Sequence, residues 1–219
     1  IKQVENKLKS SYKAILFNGL EFYTDDTKEI VKSLGISYRW ESKSDKGFAD
    51  AINQGIDLIK GDIFSYLNTD DYLFLEAIEK VKKQFDKFPL VDIVYGGGED
   101  VDVNGKRIGL YNTRDVNKYK LADGNCMPQP SVFIKKSAIN RAGKFNEKIK
   151  NSIDYEYWLR LESLGMKFAY IPDILSATRI HKNTKTLKNR KQIVEETLAI
   201  QSFYSENLWN VSTEFIWGM

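Results

Sequence analysis

Residues 44–71 read SDKGFADAINQGIDLIKGDIFSYLNTDD. The first part of this stretch has a helical period: Ile52, Ile56 and Ile59 recur at spacings of four and three, which predicts a helix over 49–59. The second part reads differently. Ile63, Phe64, Tyr66 and Leu67 form a short apolar run that predicts a buried strand over 62–67, and the run gives way to two adjacent carboxylates, Asp70 and Asp71, before a further helical pattern over 75–85. Like charges side by side raise each other's pKa and cost stability unless a cation or a hydrogen-bonding ligand lies between them. Either these acids cap the following helix, a common use of Asp, or they hold a divalent cation. Mg²⁺ and Mn²⁺ prefer oxygen ligands and are usually bound by one or two protein carboxylates.

Strand-like runs at 14–17, 36–40 and 91–95 alternate with helical patterns at 27–34, 49–59 and 75–85. Such alternation predicts an α/β fold with a mostly parallel central sheet. Beyond residue 98 the pattern changes. The segment EDVDVNGKRIG alternates polar and apolar residues around Asn104-Gly105, the signal of a tight hairpin, so antiparallel strands are added. A helix over 154–164, a short strand over 168–171 and a C-terminal helix over 191–204 complete the reading. In an open α/β sheet, ligands bind beyond the carboxyl ends of the strands, which is where Asp70 and Asp71 fall.

The composition fits one sizeable core: 219 residues, 42% hydrophobic and 13% aromatic. Lys and Arg number 33 against 30 Asp and Glu, a net charge of +3 that does not suggest a nucleic-acid binder. Cys126 is the single cysteine, so no intrachain disulfide forms and a reducing, cytoplasmic setting is expected. No apolar run has membrane-spanning length, and nothing at the start reads as a signal peptide.

Taken together, Asp45-Lys46-Gly47, Ala51-Ile52-Asn53-Gln54-Gly55, Gly61-Asp62 and Asn68-Thr69-Asp70-Asp71 resemble the donor-sugar half of family 2 glycosyltransferases with the GT-A fold. The segments PQPSVFIKKSAINRAGKFNEKI, SIDYEYWLRLESLGMKFAYIP and TRIHKNTKT resemble that family's acceptor side. The likeness runs from about residue 12 to residue 186. It implies a single GT-A type domain over 1–186, with a donor half 1–98 and an acceptor half 99–186, followed by a C-terminal helix and aromatic tail over 187–219. The family's usual N-terminal strand and its Pro-Thr-Tyr-Asn-like loop have no counterpart here. The strand at 14–17 is then expected to form a sheet edge open to pairing with another chain.

The resemblance implies inverting transfer of a sugar from a nucleoside-diphosphate sugar, UDP-sugar foremost, to a hydroxyl of a glycan or lipid-linked acceptor, assisted by Mn²⁺ or Mg²⁺. By the same resemblance Asp71 and His181 are metal ligands, Asn18, Asp45, Lys46, Asn53 and Asp70 contact the donor, and Asp154 is the general base. Asn18 stands where the family has an Asp that contacts the base; Asn keeps hydrogen bonding and loses charge. The residues alone leave plainer readings open. Asp154 could be a helix-start acid favoured by the dipole, and His181 a packing or surface residue. Lys46-Gly47 could be an ordinary turn, and the basic run 179–191 a solvated face, a lid over the diphosphate or a patch for an anionic surface. The glycines of YGGGED follow no phosphate-loop spacing and predict a close-packed strand end. Trp158 and Leu161 read as core. The tail NLWNVSTEFIWGM leaves domain packing, a homodimer contact and a membrane-surface contact at the inner face of the membrane all open. A binding protein that has lost catalysis is the competing function.

Overall fold

The computed structural model describes residues 45–182, 184 and 188–205, together with the backbone of 15–19 and 39–43. The helix expected over 27–34, the segment YTDDT, most of the basic run's centre and the aromatic tail lie outside the described residues. The chain divides into two compact units, 1–61 with 144–150 and 62–143 with 151–219.

In the first unit, β1 (Ile15–Gly19) and β2 (Arg39–Lys43) pair in parallel, Ile15 opposite Arg39 through Gly19 opposite Lys43. Among the described residues no second strand pairs with β1. Helix α1 (Phe48–Leu58) lies along β1 and buries Ala49, Ile52 and Asn53. It starts at Gly47, whose φ of 132° is one that side chains with a Cβ rarely adopt.

The second unit holds a six-stranded mixed sheet in the order β3-β7-β5-β8-β4, with β6 also paired to β5. The strands are β3 (Ile63–Phe64), β4 (Tyr72–Leu73), β5 (Ile93–Val101), β6 (Arg107–Leu110), β7 (Val132–Lys135) and β8 (Phe168–Arg179). β5 is central and its Ile93, Val94 and Tyr95 are fully buried. Helix α2 (Ala77–Lys87) presents Ala77, Val81 and Phe85 to Val94, Phe133, Ala169, Ile171 and Leu175, an apolar layer of the kind its spacing predicts. Helix α3 (Lys136–Ala142) follows β7, and α4 (Ile153–Ser163) is buried on nearly every side, with Trp158 and Leu161 in the core as expected. Helix α5 (Arg190–Tyr204) packs against α4.

The expected mixed α/β fold is observed, with a larger antiparallel share than the sequence pattern suggests. Among the described pairings β1–β2 and β5–β8 are parallel, while β3–β7, β4–β8, β5–β6 and β5–β7 are antiparallel. The strand expected over 62–67 pairs only at Ile63 and Phe64, opposite Lys135 and Ile134; residues 65–68 run on without a ladder. The strand expected over 168–171 continues to Arg179. Pro172 and Asp173 are accommodated by a bulge, so that Gly96 opposes Ile171 and Gly97 opposes Ile174. The hairpin forms where expected. Gly105 has a φ of 82°, and the Asp102 carboxylate accepts the N–H groups of Asn104 and Lys106 at 2.9 Å each. The YGGGED glycines are indeed close-packed: a Cβ on Gly96 would lie 2.4 Å from the Leu175 side chain, and one on Gly98 2.8 Å from Pro128.

Candidate active site

The turn between β3 and β4 brings the two adjacent acids into different surroundings. Asp71 is buried, 8% exposed. Its Oδ2 accepts the Asn68 side-chain amide at 2.9 Å and its Oδ1 accepts the backbone N–H of Arg179 at 3.2 Å, while its own N–H donates to the Asn68 carbonyl. Burial pushes the Asp71 carboxyl up to about 6, and the neighbouring charge of Asp70 adds to the rise; the Asn68 bond, the Arg179 N–H and the Arg179 charge oppose it. Asp70 is half-buried and meets His181 across the site, Oδ2 to Nε2 3.2 Å. The pairing of β4 with β8, Tyr72 opposite Ala177, carries the end of β8 past the acids. The His181 N–H donates to Thr184 Oγ1 at 2.9 Å, and the Thr184 N–H returns to the His181 carbonyl at 2.8 Å, which fixes the turn bearing the imidazole. The Arg179 guanidinium reaches the other way, donating to the carbonyls of Asp102 and Val103.

Asp154 occupies the first turn of α4 and is half-buried. Tyr66 links it to the acidic turn. Burial first, then the charges of Asp154 and Asp71, hold the Tyr66 hydroxyl well above the usual phenol range. Burial and then the Asp154 charge likewise raise Tyr111. Two carboxylates thus act on one phenol, while the Tyr66 carbonyl is held by the Gln129 amide at 2.8 Å. Sequence reasoning missed Tyr66 and the supporting role of Asn68, although both lie in the run 65–71 that drew attention. Glu156, the next acid on the helix, is unsuited to proton transfer. It is 6% exposed, is paired with Arg160 through bonds of 2.9 and 2.8 Å, and accepts the Tyr204 hydroxyl.

The first unit carries the other expected residues. The Asp45 carboxylate accepts the Gly47 N–H at 2.8 Å, and the Lys46 N–H donates to Asp50 at 2.8 Å, so this segment is a helix-start turn with the Lys46 side chain exposed. Asn53 is buried and braces α1 to residues 145–147. Its amide donates to the Phe145 carbonyl and to Glu147, and its oxygen accepts the Phe145 N–H. Both amide hydrogens and one oxygen lone pair are taken by the protein, so Asn53 has a bracing task in the fold. Asn18 is opposite Ser42 in the β1–β2 ladder.

Among the described residues no group of three or more His, Cys, Asp and Glu is arranged to hold a metal ion. Two neighbours nevertheless fit one. The 3.2 Å between Asp70 Oδ2 and His181 Nε2 is close to the ~3 Å edge of an octahedron with ~2.1 Å bonds. The carboxylate oxygen suits Mn²⁺ or Mg²⁺, the imidazole nitrogen favours the transition ion Mn²⁺ over Mg²⁺, and substrate phosphates and waters ordinarily complete such a sphere.

The sequence model of Glycosyl transferase family 2 matches residues 9–147. The chain belongs to that family. A chondroitin synthase of Pasteurella multocida (strain Pm70) is 31% identical over 170 residues, which are 76% of this chain and 17% of the relative. A hyaluronan synthase of Pasteurella multocida is 30% identical over 169 residues, 75% of this chain and 17% of the relative. The chain therefore spans about a sixth of the length of these relatives. Solved structures give the same fold. The mannosyltransferase PcManGT from Pyrobaculum calidifontis, in complex with GDP-Man and Mn²⁺, superposes with a TM-score of 0.65 at 14% identity over 92% of this chain and 60% of that one. S. aureus TarS 1-349 in complex with UDP gives 0.64 at 13% identity over 95% and 62%. Among the described residues no helix is long and apolar enough to cross a membrane.

Proposed function

We propose that this chain transfers a sugar from a nucleoside-diphosphate sugar, UDP-sugar foremost, to a hydroxyl of a glycan or lipid-linked acceptor, with inversion and with a divalent cation. The observation that carries the reading is the meeting of Asp70 and His181 at 3.2 Å beside buried Asp71, since the pair comes from positions 111 apart in sequence. The relatives named as chondroitin and hyaluronan synthases support a glycan acceptor. The UDP and GDP-Man of the superposed structures, the latter with Mn²⁺, support the donor class and the cation.

Asp70 and His181 would hold the ion, with the buried Asp71 carboxylate beside them in the same turn. When bound, it supplies charge neutralisation for the departing diphosphate. Asp71 sits in a setting that disfavours its charge, so a cation there relieves a cost already present in the fold. Asp154 has the general-base role: a carboxylate oxygen takes the acceptor hydroxyl proton as that oxygen bonds to the anomeric carbon and the bond to the diphosphate breaks. A single displacement of this kind inverts the anomeric centre.

Calorimetric titration of the chain with UDP, GDP and other nucleoside diphosphates, with and without Mn²⁺, tests the first half of the reading. Micromolar binding of one diphosphate that disappears without the ion is expected; equal heats in both conditions overturn the metal role. Release of the nucleoside diphosphate from its sugar donor tests the second half. Binding without release would leave a sugar-nucleotide-binding protein.

A further inference from the structure

We propose that helix α5, through Glu196 and Thr197, positions the start of the helix that carries Asp154, so that residues well beyond the family match serve the transfer step. The inference rests on the reading of Asp154 as the base.

The start of α4 lacks the usual local cap. Ser152 is the N-cap residue, yet its side chain makes no capping bond. Its hydroxyl pairs with Thr197 Oγ1 at 3.0 Å, and the two residues are 5% and 6% exposed. The backbone N–H groups of Asn151 and Ser152 both donate to one oxygen of Glu196, at 2.7 and 2.8 Å. A carboxylate accepting two backbone N–H groups makes charge-assisted bonds, about twice as strong as neutral ones, at a helix end whose dipole favours negative charge. Asn189 adds a bond to the Asn151 side chain at 3.3 Å.

The hold continues past Asp154. Gln201 donates to the Tyr155 hydroxyl at 3.1 Å and to the Ala122 carbonyl at 3.1 Å, and the Tyr204 hydroxyl donates to Glu156 at 3.0 Å. Residues 151, 152, 155 and 156, on both sides of Asp154, are each bonded from the segment 189–204. The buried face of α5 agrees: of its buried residues Thr197, Ile200 and Gln201, two are polar and both bond to this region. An element selected for apolar packing alone would bury Leu or Val there. A shift of ~1 Å in a reacting group can cost ~10²-fold in rate, so an anchor at this point acts on turnover.

The test uses the whole chain with Glu196→Ala, Glu196→Gln, Thr197→Val and Asp154→Asn, and measures kcat, donor KM, Mn²⁺-dependent affinity for UDP and melting temperature. Glu196→Ala is expected to lower kcat ~10- to 100-fold with donor KM and UDP affinity unchanged. Glu196→Gln keeps an oxygen acceptor and is expected to restore most of the rate. A Glu196→Ala protein with parental kcat, whether or not its melting temperature falls, overturns the inference while Asp154→Asn remains impaired. Parental kcat in Asp154→Asn instead removes the base reading itself. If Glu196→Ala does not fold, Thr197→Val, which keeps the shape and removes the hydroxyl, carries the same readouts; a several-fold loss of kcat supports the anchor, and an unchanged kcat overturns it.

Discussion

At the turn before β4, Asp71 is held by a side chain three residues back and by a backbone N–H of the neighbouring β8 strand; at the start of α4, the loop beside Asp154 is held by Glu196, 44 and 45 positions further on. The first arrangement is compact. Asn68, Asp70 and Asp71 arrive together in one turn, and only the His181 and Arg179 end of β8 has to be brought to them. The second depends on tertiary packing of a separate helix. Under the proposed function, metal and diphosphate binding would rest on the turn and proton transfer on α4 and α5, so the two can be damaged independently.

The sharpest way to break that separation is Asp154→Asn, which keeps size and polarity and cannot accept the proton. General bases contribute ~10²- to 10⁴-fold, so kcat for transfer is expected to fall in that range with UDP affinity in Mn²⁺ nearly unchanged. Steady-state transfer and calorimetry on the same preparation check it. A parallel loss of affinity would mean that the two corners act as one. Asn68→Ala probes the other corner. Removing the amide frees an Asp71 oxygen from its partner, and loss of such a supporting bond typically costs ~10- to 100-fold in metal affinity. Mn²⁺-dependent UDP binding should weaken by that amount, and kcat at saturating donor and ion should stay within a few-fold of the parent. Unchanged binding would show that Asn68 does not orient the ligand.

The same contrast explains what could be read in the chain. The acidic turn is legible because a strand-like run, an Asn and two acids lie in one continuous stretch, and the family resemblance is carried by residues close together. Glu156 could also have been set aside from sequence, since Arg160 four residues on in a helix is a pairing signal, and that pair is what the structure shows. The extent of β8 was not legible. Pro172 argues against a continuous strand, and only the β5 partner, with its glycines, absorbs the bulge. The role of Asn53 was hidden for a related reason: an Ala-x-Asn-x-Gly spacing says nothing of the buried backbone at 145 that its amide satisfies. The anchoring of α4 has no motif at all, because its partners are set by how two helices meet.

A further expected effect concerns stability and separates Asp71 from its neighbour. The folded carboxyl titrates near 6 against a usual value of 3.8. Between those values the folded chain binds more protons than the unfolded one, so this group's contribution falls as pH rises from about 4 to about 7 and is constant outside that window. The full difference corresponds to about 3 kcal/mol, an upper bound because water reaches the neighbouring Asp70 and screens the site. Asp71→Asn lacks this titration. The stability of the parent relative to Asp71→Asn, from urea unfolding without added metal, should therefore decline by up to that amount between pH 4 and pH 7.5. Mn²⁺ with UDP favours the ionised carboxylate in the folded state and should flatten the decline. A flat difference without metal would mean that Asp71 is already compensated by Asn68 and Arg179, and a difference that grows with pH would mean that these two partners outweigh its burial.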